Sequence, residues 1–461
     1  MSVEARSLDL QELTPDQGGM LRRWLQLGVL ALGLAGLFAV LLVVSRMPGS
    51  EAFFPWIDFF HTALVVHVDQ SVLIWFLAMA GLSGALLSPS EPLMKSAQAL
   101  AFALCLSGTL GIALSAFVGE GAPLMNNYVP VLQRPLFFGM LGVFAAGIGL
   151  QTLLTLRGAW LSLRRDPLNL PAWAAITISV AVLLALVAVF TAKWQMPEGV
   201  SGQSYYEYLF WGAGHTLQFA YTQLVMLAWL LLARHGGLQL PGRGAWYAGL
   251  FLIGELPVLG TPIIYLMHST VSIESRSAFT HLMQYGGGLA VVPLGLLVIG
   301  SLYRAPTADP AQRPLRRALV MSMVLFFSGG LIALFISGLN TIIPAHYHGS
   351  IVGITLALMG MAYLLLPRLG YPVVSGRLAD WQPWIYGFGQ LLHIGGLAVS
   401  GAMGIQRKTA GAAQGLDSLS AKAAMGVMGL GGLLAVIGGF LFVWIMLRAF
   451  FNARPTRGEE H

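Results

Sequence analysis

Twelve apolar stretches, each long enough to cross a bilayer as a helix, leave this chain few folds to choose from. They fall at residues 22–45, 58–88, 95–118, 132–156, 170–192, 206–233, 244–268, 277–303, 316–338, 345–367, 384–406 and 423–450. A helix needs about 20 predominantly apolar residues to span the hydrocarbon core. Inside that core every backbone N–H and C=O must find its partner within the protein, which makes such stretches helices. The links between them are short and hold no soluble domain. The expected fold class is therefore all-α: a polytopic membrane protein with twelve transmembrane helices. Its membrane domain covers residues 21–451, between a polar N-terminal tail (1–20) and a C-terminal tail (452–461). Only 10% of the residues are charged, against about 25% in a soluble domain.

Charge sets the expected orientation. The net charge is +6, with 25 Lys and Arg. If the N-terminus is inside, most of these fall on the inner side, among them Arg22, Arg23, Arg157, Arg164, Arg165, Arg316 and Arg317. This is the positive-inside bias of a membrane protein rather than a nucleic-acid surface. Both termini are then cytoplasmic, in a bacterial inner membrane, and lipid is the first partner. The opening residues are polar and mixed in charge, unlike the basic start and immediate apolar run of a signal peptide. The single cysteine, Cys105, excludes disulfides, four-cysteine clusters, a two-cysteine copper centre and covalent haem attachment through C-x-x-C-H within this chain.

The histidines narrow the function. His346 and His348 open the tenth stretch as His-x-His. Two residues apart on a helix, they point roughly 200° from each other, so one helix offers an imidazole on each of two sides. In the orientation above, His67, His215, His268, His346 and His348 all sit in the outer third of the membrane, on four helices. Ionisable groups in hydrocarbon are expensive and are functional by default. Imidazole is the common ligand for haem iron and copper, and five at one level point to a shared metal-bearing site.

The residues around these histidines carry a resemblance. Helix 2 continues from His67 as VDQSVLIWF, helix 6 reads WGAGHTLQFAY, helix 10 reads AHYHGSIVGITLALMG, and SGAMGIQRKTAG follows helix 11. Together, over nearly the whole chain, they resemble subunit I of the haem-copper oxidase superfamily, which includes the nitric oxide reductases. The resemblance implies the twelve-helix arrangement of that subunit. It implies two haems, one low-spin and one high-spin, and one copper (or non-haem iron). His67 and His348 would be the axial ligands of the low-spin haem, and His346 the proximal ligand of the high-spin haem. His215 and His268 would bind the second metal. Arg407 and Lys408 would pair with propionates, where a basic pair at the outer surface suits them. The implied reaction is reduction of O2 to water, or of NO to N2O. Electrons would come from a partner subunit with a copper centre or from a cytochrome c, since this chain has neither.

Three departures from the family pattern stand out. Where it has two adjacent histidines on helix 7, this chain has Met267-His268. The second metal then has two histidines only, or takes the Met267 thioether, which suits Cu(I), or is reached by His281. Four residues after His215, where many oxygen reducers carry a tyrosine, stands Phe219; Tyr221 and Tyr265 occupy no recognised position. In helix 8, Leu294 and Leu297 replace the Thr and Lys of a proton path, and no inner-side Asp entry is evident. These departures suit nitric oxide reductases, yet the Glu those enzymes place after the helix-6 histidine is also missing, with Gln218 the nearest polar residue. Among acids within spans, Asp69 and Glu207 flank the histidine level, and Glu255, beside a Pro in mid-helix 7, is a proton-relay candidate. Two other classes compete. A secondary transporter would show repeats, which are not evident, and would not explain the histidines. A haem-handling protein without turnover is the other.

Overall fold

The computed structural model describes residue 8 and residues 13–45, 58–87, 91–407 and 418–452. Twelve long helices run in chain order: α1 (Pro15–Val44), α2 (Phe59–Ala85), α3 (Pro92–Leu114), α4 (Pro135–Arg165), α5 (Leu170–Trp194), α6 (Gly202–His235), α7 (Gly244–Met267), α8 (Ile273–Leu302), α9 (Arg313–Ala333), α10 (Ile342–Leu365), α11 (Arg377–Ala402) and α12 (Leu419–Phe451). All but α11 are both long and apolar enough to be candidate spans among the described residues. In α11, Arg377, Asp380, Gln382, Gln390 and His393 dilute a helix that is otherwise of spanning length.

Several starts follow from local sequence. Proline stands in the first turn of α1, α3, α4, α5 and α9, where its missing N–H costs nothing and its φ is already helical. At α1 the stretch TPDQ forms a capping box: Thr14 Oγ1 accepts from Gln17 N–H at 3.3 Å, and Gln17 Oε1 accepts from Thr14 N–H at 3.1 Å. That box starts the helix at Pro15, inside the stretch expected to be tail. Asp16 in this first turn pairs with Lys95 at the start of α3.

Three helices are irregular. The middle of α2 is a π-helical turn, Asp69–Ile74, which begins two residues after His67; such turns concentrate at functional sites. In α7 a 3-10 turn, Leu256–Leu259, follows Glu255 and contains Pro257, which has no N–H to continue the ladder. In α8 the helix is interrupted between Gly286 and Val291, where three glycines run in succession.

The chain forms two compact units. The first holds residues 1–227 and 241–299, the second residues 228–240 and 300–461. In the first, α1 packs on α2, α3 on α4, α4 on α5, and α5 on α7. Its α3–α4 link folds into an antiparallel pair, Pro123–Leu124 with Val131–Leu132. Arg134 ends this link and turns back, donating to the carbonyls of Ser115 (2.6 Å) and Ala116 (3.0 Å) past the end of α3. In the second unit, α9 packs on α10 and α11, α10 on α11, and α11 on α12. The helices most enclosed by protein are α6 and α10, each 89% buried over its most apolar stretch. They carry His215 and the His346/His348 pair.

Candidate metal and haem site

In the first unit, His67 stands on α2 just before the π turn. Its Nδ1 lies 2.9 Å from the carbonyl of Ala35 on α1. A carbonyl only accepts, so Nδ1 carries the proton and Nε2 carries the lone pair. Both carboxylate oxygens of Asp69, two residues on, are buried with no hydrogen-bond partner among the described residues.

His215, on α6 and 5% exposed, is held from two directions. Its Nδ1 donates to the carbonyl of Trp211, one turn earlier, at 2.8 Å. Its Nε2 is 2.9 Å from the hydroxyl of Tyr128, which comes from the α3–α4 link. Burial and the nearby Glu207 carboxylate push the Tyr128 phenol above its ordinary range, against the opposing pull of Arg276, so it remains a donor. Tyr128 is the one residue of this cluster that sequence reasoning missed. It lies 87 positions from His215, and no periodicity links a loop residue to a helix that far away.

The rest of the expected second-metal set lies at the end of α7 and on α8. His268 follows the end of α7 in extended backbone, φ −134° and ψ 141°, and is half-buried. Met267 is 70% exposed. That exposure does not favour the thioether option for the second metal. His281 is exposed on α8, beside Trp211 and Arg276 at the rim of an open cleft. No group of three His, Cys, Asp or Glu side chains arranged to hold a metal occurs among the described residues. With both nitrogens of His215 taken by protein partners and Met267 exposed, the donors as they stand do not fit a second metal. Phe219 is buried, and Tyr221 packs edge-on against Phe76 at 4.6 Å.

Glu255 is buried at the α7 break, where Gln223 of α6 donates to its Oε2 at 3.4 Å and to the Phe251 carbonyl at 3.0 Å. Glu207 accepts from Asn127 in the α3–α4 link at 2.9 Å.

In the second unit, His346 Nδ1 donates to the carbonyl of Gly329 on α9 at 2.8 Å. His348 Nδ1 donates to the carbonyl of Pro344, one turn earlier on α10, at 2.8 Å. His393, a further histidine that sequence reasoning passed over, meets the His348 ring edge-on at 5.1 Å between centroids. Its own Nδ1 lies 3.0 Å from the Met428 carbonyl on α12. Beyond α11 the chain folds back on the α9–α10 link: Asn340 bridges Gln406, and Thr341 N–H donates to the Ile405 carbonyl at 3.0 Å. This places the backbone of Arg407 beside the start of the helix that carries His346 and His348. Lys408 lies outside the described residues.

Comparison with known proteins agrees with this geometry. A solved heme-copper terminal oxidase superposes with a TM-score of 0.67 over 96% of this chain and 84% of its own, at 17% identity, a likeness of fold. An uncharacterised protein of Rickettsia prowazekii is 30% identical over 95% of this chain and 97% of its own length. Another, of Aquifex aeolicus, is 31% identical over 78% of this chain and 88% of its own. The sequence profile of "Cytochrome C and Quinol oxidase polypeptide I" matches residues 20–441. A match from the first turns of α1 into α12 leaves one assignment: the chain belongs to the cytochrome c and quinol oxidase polypeptide I family.

Proposed function

We propose that this chain is the haem-carrying catalytic subunit of a respiratory oxidoreductase that reduces O2 to water, set in a bacterial cell membrane with both termini inside. One observation carries the reading. His67, His346 and His348 each donate Nδ1–H to a backbone carbonyl at 2.8–2.9 Å, which selects the tautomer whose Nε2 binds metal and turns the ring to present it. That donor chemistry fits haem. His67 and His348 would hold the low-spin group and His346 the high-spin group. Arg407, with Lys408 after it, would meet the propionates.

When bound, haem supplies iron that accepts and passes single electrons and binds a diatomic gas. The chain's own residues do the rest. The Nδ1 contacts keep the imidazoles oriented. Glu255 is the group placed to take up and release a proton, at a helix break with Gln223 as its partner. Electrons come from a partner subunit with a copper centre or from a cytochrome c.

Two other readings each have an observation behind them. Reduction of NO is favoured by Phe219 in place of a tyrosine and by Leu294 and Leu297, in the inner half of α8, where the run VVPLGLLVIG offers no proton-carrying side chain. A haem-bearing protein without turnover is favoured by His215, whose two nitrogens are both engaged. One experiment separates the three: the purified protein in vesicles receives a reduced donor, and O2 and NO are added separately. Haem bands that reoxidise with O2, with O2 consumed, support the proposal. Turnover with NO alone, or haem bands with no turnover, overturns it.

A further inference from the structure

We propose that Tyr128 decides whether His215 can bind a metal, because its hydroxyl holds the one imidazole nitrogen that α6 leaves over. The inference rests on the oxidoreductase reading of the same site and departs from the family's second-metal ligand set. Nδ1 of His215 faces the Trp211 carbonyl at 2.8 Å, so the proton is on Nδ1. The remaining lone pair, on Nε2, accepts from the Tyr128 hydroxyl at 2.9 Å. A metal needs that same lone pair. Phenol and metal therefore compete for a single site, and in this structure the phenol holds it.

The arrangement is built into the surrounding chain. Asn126 staples the loop: its Oδ1 accepts from the N–H groups of Tyr128 and Val129, both at 2.9 Å, and its Nδ2 donates to the Val129 carbonyl. The strand pair Pro123–Leu124/Val131–Leu132 closes the loop behind them. On α6, Gly214 leaves the space in which the tyrosine ring lies; a Cβ there would come within 2.1 Å of Tyr128 Cδ1 and Cγ. The Tyr128 ring meets Trp211 edge-on at 5.7 Å and His215 at 4.9 Å.

Charge works in the same direction. The Arg276 guanidinium lies 4.5 Å above the Trp211 ring, and Trp211 Nε1 donates to the Arg276 carbonyl at 3.1 Å. A fixed positive charge one ring away from His215 disfavours a further cation. Met267, beside His268, is 70% exposed.

The test compares purified haem-loaded wild type with Tyr128→Phe, Gly214→Ala, His215→Ala and the double variant Tyr128→Phe/His215→Ala. Each is equilibrated with Cu(I) by dialysis, and copper and iron per chain are measured. Wild type is expected at background copper. Tyr128→Phe, which frees Nε2 as one donor, is expected to hold more copper than wild type, and the double variant to return to background. Gly214→Ala displaces the phenol by crowding and is expected to gain copper with the hydroxyl still present, a control should Tyr128→Phe disturb the loop. Wild type holding about one copper per chain that His215→Ala removes would overturn the inference. So would Tyr128→Phe and Gly214→Ala that hold no more than wild type. The readout is independent of turnover: copper at His215 in wild type defeats this inference and leaves the oxidase reading standing, whereas protein with no haem defeats that reading first.

Discussion

An imidazole has one lone pair to give, and its neighbours decide which nitrogen carries it. The carbonyls of Ala35, Gly329 and Pro344 take the Nδ1 protons of His67, His346 and His348, which puts the lone pair on Nε2 in all three. Removing one of only two axial bonds abolishes a low-spin centre. His67→Ala and His348→Ala are each expected to lose the low-spin bands in a reduced-minus-oxidised spectrum. His346→Ala is expected to keep them and to lose gas turnover. Normal low-spin bands in folded His67→Ala protein would sink the assignment. Met267, 70% exposed, leads to a contrasting outcome. A side chain that exposed lies outside a buried donor set, so Met267→His is expected to leave bound copper and non-haem iron unchanged in metal analysis.

Between helices, the contact of α9 with α10 sets the position of His346. Gly329 and Gly349 meet there: a Cβ on Gly329 would lie 2.4 Å from Ser350 N, and one on Gly349 would lie 2.6 Å from Gly329 Cα. Small residues let membrane helices approach this closely, and the Gly329 carbonyl is also the acceptor for His346. A larger side chain must separate the helices or strain them, at about 1–3 kcal/mol. Gly329→Leu is expected to lower thermal stability and to reduce the content of the haem assigned to His346. The two irregular turns serve other ends. The π turn of α2 follows His67 and buries Asp69, and the 3-10 turn of α7 follows Glu255. Both acids are buried and lie within spans, where an unused one would be costly.

For the molecule as a whole the open quantity is the side from which protons arrive. Leu294 and Leu297 have no donor or acceptor, and a proton does not cross hydrocarbon without polar groups or water. An inner route must then use another helix, and Glu255 on α7, with Gln223 beside it, is the acid at hand. If protons for O2 reduction pass through Glu255, turnover in vesicles builds a membrane potential, followed with a voltage-sensitive dye. Glu255→Gln, which keeps shape and loses the exchangeable proton, is expected to abolish that potential and to slow O2 consumption. A full potential in Glu255→Gln would remove Glu255 from the path. Turnover without any potential would place the proton source on the outer side and favour NO as the substrate.

The spans and the family were legible in sequence because each is a local signal. Hydropathy over one helix length reports burial in lipid, and a motif such as AHYHGSIVG is contiguous. Boundaries were less legible where a cap overrode composition, as at Thr14–Gln17, or where polar residues diluted a real helix, as in α11. What only the tertiary structure decided is which partner each ligand nitrogen meets. Ala35 is 32 positions from His67, Gly329 is 17 from His346, and Tyr128 is 87 from His215. A hydrogen bond is set by a few tenths of an ångström between groups that packing brings together, and spacing along the chain carries no record of that. The same holds for Met267, which adjoins His268 in sequence and is 70% exposed in the structure.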